Sequence, residues 1–151
     1  MIKIITVGSI KEKYLKDAIE EYLKRLKKYT NIEIIEVKDE GLVEEKKSIQ
    51  LEGEKISKYL SPKDYIITLE IEGKQVSSEE LAEKLNLIQI ENSNITFIIG
   101  GSYGLSDEIK QKAKMHLSFS KMTFPHQLFR VLLLEQIYRA FKILNNESYH
   151  K

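Results

Sequence analysis

Two short runs, Tyr65-Ile66-Ile67-Thr68-Leu69 and Ile95-Thr96-Phe97-Ile98-Ile99, are apolar at nearly every position. A strand with one wet face alternates; a strand apolar throughout has to be covered on both faces, and that is the habit of parallel sheets sandwiched between helices. The rest of the chain supplies the covers. Met1 to Val7 reads as a strand broken by Gly8-Ser9, and Lys11 to Tyr29 places Leu15, Ala18, Ile19, Tyr22, Leu23 and Leu26 at helical spacing. Ile32 to Val37 is a second strand, followed by the acidic run Lys38 to Glu45. A helix near residues 44 to 60 then buries Ile49, Ile56 and Leu60, and Ser61-Pro62 stops it. The third strand, Asp64 to Ile71, leads into a turn at Glu72-Gly73-Lys74. Ser77 and Glu80 form a capping box for a helix to about residue 90. A strand from Asn94 to Ile99, a short helix opening at Ser106-Asp107-Glu108, a fifth strand from Met115 to Ser120, and a final helix to about Leu144 with Pro125 in its first turn complete the series. Strand and helix alternating five times predict an α/β fold: a Rossmann-like, mainly parallel sheet of five or six strands, in one domain over residues 1 to 151.

Composition narrows the class. The longest uninterrupted apolar run is Val131 to Leu134, against the roughly 20 residues a membrane-spanning helix needs. The opening residues go straight from a strand-like pattern into charge, without the basic, apolar and small-residue zones of a secretory leader, so a cytoplasmic protein is expected. The sequons at Asn94 and Asn146 then read as chance matches. No cysteine is present, which excludes disulfides, thiolate metal sites and cysteine nucleophiles. The net charge of +1 is a cancellation: residues 1–30 carry +4, 31–60 carry −3, 61–98 carry −4 and 99–151 carry +4. Lys13, Lys16, Lys24 and Lys27 make a basic stripe on the first helix. Basic ends around an acidic middle fit a polyanionic partner, and equally a solvated surface with segregated charge.

In an open parallel sheet, ligands sit beyond the carboxyl ends of the strands, which directs attention to the loops after Val7, Leu69, Ile99 and Ser120. Gly100-Gly101-Ser102-Tyr103-Gly104 has three glycines in five residues, so backbone can approach a ligand closely; a purely structural tight turn has the same composition. It matches neither the dinucleotide fingerprint nor a phosphate-binding loop with its lysine. The loop Phe119 to Gln127 is long, polar and aromatic. The helix after it is apolar almost all round, which calls either for a second copy of the chain or for deep burial within one. The three histidines have no metal-binding spacing, and no metal is expected. His116 reads as a structural residue in a strand and His126 as a cap. The terminal Tyr149-His150-Lys151 is either a frayed end or a tail docked into a site.

The glycine loop IGGSYGL, the stretch LSFSKMTFPHQLFRVLLLEQIYRAFKI and the closing YHK resemble the ribosomal RNA large-subunit methyltransferase H family of the SPOUT superfamily. IKIITVGSIKEKYLKDAIEEYLKRL and ITLEIEGKQVSSEELA are similar to it as well, so the likeness covers the whole chain, with about residues 38 to 48 shorter than in many relatives. The resemblance implies a homodimer whose C-terminal part forms a trefoil knot, a feature general topology rules argue against. It implies transfer of a methyl group from S-adenosylmethionine to N3 of a pseudouridine in large-subunit (23S) ribosomal RNA; the small size of the chain points to the assembled ribosome, rather than free RNA, as the acceptor. It further implies a methyl-donor site at Leu69, Gly100, Phe119, Ser120, Lys121, Met122, Thr123 and Phe124.

The chemistry asks for little more. A sulfonium methyl is already electrophilic, so donor and acceptor must mainly be held in line and kept from water. Loss of the imide proton at N3, with charge spreading to the flanking carbonyls, calls for a base or for a cation on those oxygens. His150 suits the first role and Arg139 the second, with Tyr149 stacking on the base and Lys151 on phosphate. Arg139 has a competing partner in Glu135, one turn earlier on the same helix. A ribosome-associated RNA-binding module without catalysis and a nucleotide-binding regulatory domain are the rival readings.

Overall fold

The computed structural model describes residues 1–41 and 44–151. Five strands and five helices alternate: β1 (Ile2–Val7), α1 (Lys13–Leu26), β2 (Ile32–Val37), α2 (Glu45–Ser57), β3 (Asp64–Gln75), α3 (Ser78–Glu91), β4 (Asn94–Ile99), α4 (Asp107–Lys112), β5 (Met115–Ser118) and α5 (His126–Leu144). The strands pair in parallel in the order β2-β1-β4-β3-β5. This is the expected α/β class, with five strands among the described residues. The two runs apolar throughout become β4, the middle strand, and β3 beside it.

Successive residues of a strand face opposite ways, and each face has its own core. Ile2, Ile4, Ile67, Ile95 and Phe97 meet α1, α3 and α5 on one side. Ile5, Val7, Ile66 and Ile98 meet Ile56 of α2 and Ile109 of α4 on the other. Phe97, fully buried at the centre, is a residue whose truncation to alanine costs about 3–5 kcal/mol. Arg130, buried on α5, donates to Glu36 Oε2 at 2.6 Å, Thr6 Oγ1 at 3.1 Å and the Gly8 carbonyl at 3.3 Å, and so fastens α5 to the carboxyl ends of β1 and β2.

Several local expectations change. α1 begins at Lys13 and ends at Leu26, with Lys27 to Tyr29 in a turn. Ile49 and Leu60 are only half-buried, and the inward face of α2 is Ser48, Glu52, Gly53 and Ile56. No turn interrupts the chain at Glu72-Gly73-Lys74: β3 runs on to Gln75 because β5 offers it a partner twice, Leu117 pairing with Leu69 and again with Lys74 across a bulge. β5 ends at Ser118, leaving Phe119 and Ser120 in the following loop. Pro125 occupies the N-cap of α5 rather than its first turn. The capping box at Ser77 and Glu80 forms in both directions, each bond 3.0 Å. Leu42 and Val43, within the acidic run and the short segment noted above, lie outside the described residues. No helix among the described residues is long and apolar enough to cross a membrane.

Candidate functional site

The carboxyl ends of β3, β4 and β5 open into a cleft of about 770 Å³. Leu69, Gly100, Phe119, Ser120, Met122, Thr123 and Phe124 all line it, so seven of the eight residues named from the resemblance are brought together; Lys121 is exposed and does not line it. Three rings make one wall, Phe119 edge-on to Phe129 with centroids 4.8 Å apart and Phe124 stacked on Phe129 at 5.9 Å. The β5–α5 loop is held by short-range bonds, the Ser118 hydroxyl to the Ser120 carbonyl at 3.1 Å and the Met122 N–H to Ser120 Oγ at 3.0 Å.

Opposite the rings, Gly101 to Gly104 fold back in a tight turn, with Gly104 at φ +85° and its N–H on the Gly101 carbonyl at 3.1 Å. A Cβ on Gly100 would stand 2.8 Å from the Gly104 carbonyl carbon, so only glycine allows this turn to close. Glu70 and Glu72 supply negative charge at the rim, with Lys110 near Glu70 at 3.6 Å. Burial works against the charge of Glu70, but the Thr68 hydroxyl, His116 and Lys110 outweigh it and hold the carboxyl below its usual range. His116 is thus more than a strand residue: its Nδ1 lies 2.5 Å from Glu70 and 2.8 Å from Thr68 Oγ1, anchoring the start of the β3 bulge. His126 makes no cap bond; it opens α5 and lines both this cleft and a neighbouring cavity of about 940 Å³.

The second group lies at the other end of α5. Arg139 grips Glu135 with Nε at 3.2 Å and Nη2 at 3.1 Å, the competing partner foreseen for it, and extends Nη1 to His150 Nδ1 at 3.1 Å. Tyr149 donates to Glu135 Oε1 at 2.7 Å and packs edge-on against Tyr138 at 4.9 Å, with the Arg139 guanidinium 4.7 Å from its ring centre. His150 Nε2 bonds Glu79 at the start of α3. Arginine can only donate and an ionised glutamate can only accept, so the ring is the Nε2–H tautomer. The tail is therefore docked. Burial and the bond to Glu135 push the Tyr149 hydroxyl up to about 12, which keeps it a donor through the neutral range. His150 holds Glu79 below the usual carboxylate range.

Arg139, Tyr149 and His150 come together, but none of them lines the cleft. From His126 to Arg139 along α5 is about 20 Å at 1.5 Å per residue. Sequence reasoning missed Glu70, Glu72 and Phe129, which also line the cleft. Both glutamates sit in the bulge between Leu69 and Lys74, Glu72 where a turn had been expected and Glu70 at the end of the expected third strand; the signal available was two carboxylates at the end of a buried strand.

An open parallel sheet with a glycine turn and an aromatic loop meeting at its carboxyl edge belongs to the ligand-binding α/β class. Its fold is shared with a solved chain, a probable methylase family protein from Haemophilus influenzae, with TM-score 0.55, 17% identity, and 99% of this chain and 70% of that one covered. Residues 1–150 match the family model described as predicted SPOUT methyltransferase. A protein of Methanococcus maripaludis provisionally named ribosomal RNA large subunit methyltransferase H is 57% identical over 99% of both chains. One of Clostridium acetobutylicum, named ribosomal RNA large subunit methyltransferase H, is 52% identical with the same coverage. The chain belongs to the SPOUT methyltransferase family.

Proposed function

We propose that this chain, as one domain over residues 1 to 151, is an S-adenosylmethionine-dependent methyltransferase acting on N3 of a pseudouridine in large-subunit ribosomal RNA. It works in the cytoplasm as a homodimer, on the assembled ribosome, with its C-terminal part threaded as a trefoil knot. The observation that carries this reading is the meeting of the glycine turn and the Phe119 to Phe124 loop at one cleft, in a chain whose full-length relatives bear that RNA in their names.

The cleft suits the donor. Aromatic rings take an adenine face, the glycine turn admits close backbone contact, and Glu70 and Glu72 favour a cationic sulfonium and ammonium. S-adenosylmethionine, when bound, supplies the electrophilic methyl group. Leu69, Gly100 and the aromatic loop hold it, and the rings exclude water.

The proton at N3 falls to His150, and the carbonyl charge beside it to Arg139. Both ring nitrogens of His150 are engaged in the free chain, and the lone pair able to take a proton is on Nδ1, so the RNA has to displace the Arg139 contact there. Glu79, on Nε2–H, then holds the ring in that tautomer and favours its charged form. Because tail and cleft of one chain stand apart, a second copy has to bring its tail to the cleft. Tyr14 at 69% exposure and Leu128 at 38%, both lining the cavity next to the cleft, are apolar surface suited to such a contact.

Mass mapping of ribosomal RNA from cells lacking the gene tests the activity. Loss of one methylated pseudouridine is expected, and an unchanged methylation pattern overturns the reading.

A further inference from the structure

Glu52 lies on the inward face of α2, 3% exposed, behind the glycine turn. Its Oε2 accepts the Glu40 N–H at 3.0 Å and the Ser48 hydroxyl at 3.4 Å. Its Oε1 lies 3.1 Å from where a Cβ on Gly101 would be, so the carboxyl rests against the backbone of the turn. The Asp39 carboxyl lies within hydrogen-bonding reach of it, and Asp39 Oδ1 in turn accepts the Gly41 N–H at 2.8 Å. Asp39 and Gly101 both line the cavity of about 940 Å³, which meets the cleft at Gly101 and Ser102. One buried acid therefore touches both the loop after β2 and the turn that forms a wall of the cleft.

We propose that Glu52 is a positioning residue whose buried carboxyl clamps the loop after β2 to the back of the glycine turn and so sets the donor cleft's shape. This rests on reading the cleft as the methyl-donor site.

Two carboxyls in contact cannot both ionise cheaply, least of all where one is buried. Among the described residues, the groups facing Glu52 supply no compensating cation. From the loop after β2 come Asp39 and the Glu40 amide, from its own helix Ser48, from β1 the apolar Val7, and from the glycine turn only backbone. Lys55, one turn along α2, is committed to Glu40 and the Lys38 carbonyl. Burial pushes the Glu52 carboxyl up and Asp39 adds to that, against the Glu40 amide and the Ser48 hydroxyl, which favour the charged form. Where both carboxyls are ionised, two anions repel across the clamp, so rising pH works against the contact between the loop after β2 and the turn. A glutamine keeps the arrangement at every pH, its carbonyl accepting from Glu40 and its amide donating to Asp39.

The test is calorimetric titration of the full chain with S-adenosylmethionine from about pH 6 to about pH 9, beside hydrogen exchange of the Gly100 to Leu105 amides in the ligand-free protein. Wild-type affinity should weaken as pH rises. Glu52→Gln should match wild type at the acid end and lose that dependence, and Glu52→Ala should bind about tenfold more weakly throughout. The turn amides should exchange faster in Glu52→Ala, and in wild type but not Glu52→Gln at the alkaline end, after correction for intrinsic rates. Identical pH profiles for wild type and Glu52→Gln, or turn amides indifferent to Glu52→Ala, overturn the clamp. Exchange that responds as expected in a protein that binds no S-adenosylmethionine upholds the clamp and overturns the reading of the cleft instead.

Discussion

Around the cleft, recognition is left to aromatic rings and to backbone, with charge only at the rim in Glu70, Glu72 and Lys110. Around the tail, Glu79, Glu135, Arg139, Tyr149 and His150 satisfy one another in an unbroken chain of hydrogen bonds. The first region offers flat apolar faces, and the proposed function gives it the methyl donor; the second offers linked donors and acceptors, and the proposed function gives it the proton. α5 joins them, its first turn at the cleft and its last turns at the tail, which fixes them about 20 Å apart in one chain. Under the proposed function, the difference means that binding and proton transfer can be broken separately, and that the working centre draws on two chains.

The largest expected effect breaks the proton-moving half. Removing residues 149 to 151 should lower single-turnover methyl transfer by about a thousandfold or more while S-adenosylmethionine affinity stays within about twofold. A truncated protein as fast as wild type ends the comparison at once. Next comes the binding half. Gly100→Ala places a Cβ 2.8 Å from the Gly104 carbonyl carbon, so the turn must open, and donor affinity by titration should fall about tenfold or more with the tail network intact. Mixing these two variants sharpens the comparison: random dimers should recover about a quarter of wild-type activity, because half are mixed and each mixed dimer joins one intact cleft to one intact tail. Recovery no greater than the sum of the separate variants would place both halves of the centre in one chain.

The smallest effect concerns how the tail's approach is anchored. The Tyr29 hydroxyl and Lys142 bond Glu147 at 2.5 Å and 3.1 Å and hold its carboxyl below the usual range. A depressed folded-state value means stability that is full above the unfolded carboxylate's value and is lost as pH falls through the folded one. Thermal melts between neutral and acid pH should therefore show a small loss in wild type that is smaller in Glu147→Gln.

Much of the cleft was legible from the sequence because its signals are local. An apolar run ending in glycines marks a strand's carboxyl end, and a long loop with phenylalanines before Pro125 marks the next. Glu72 was misread as belonging to a turn because charge and glycine at residues 72–74 are what a turn looks like locally, and Glu70 passed as a polar residue near the end of a buried strand. Only β5, arriving some 45 residues later to pair with Leu69 and Lys74, makes that stretch a bulge in a continuing strand. Glu52 gave no signal: on a helix rich in charge of both signs it resembles any solvated glutamate until the glycine turn covers it.

Alternation of strand and helix, the two strands buried on both faces, the capping box and the family likeness were fixed by the order of residues, since each depends on periodicity or on neighbours within a few positions. The strand order, the buried reach of Arg130 to Glu36 and Thr6, the Asp39–Glu52 contact and the distance between cleft and tail depend on segments far apart in the chain. Those were decided only when burying both faces of the sheet forced the segments together, because hydrophobic burial has no direction and close packing supplies the partners.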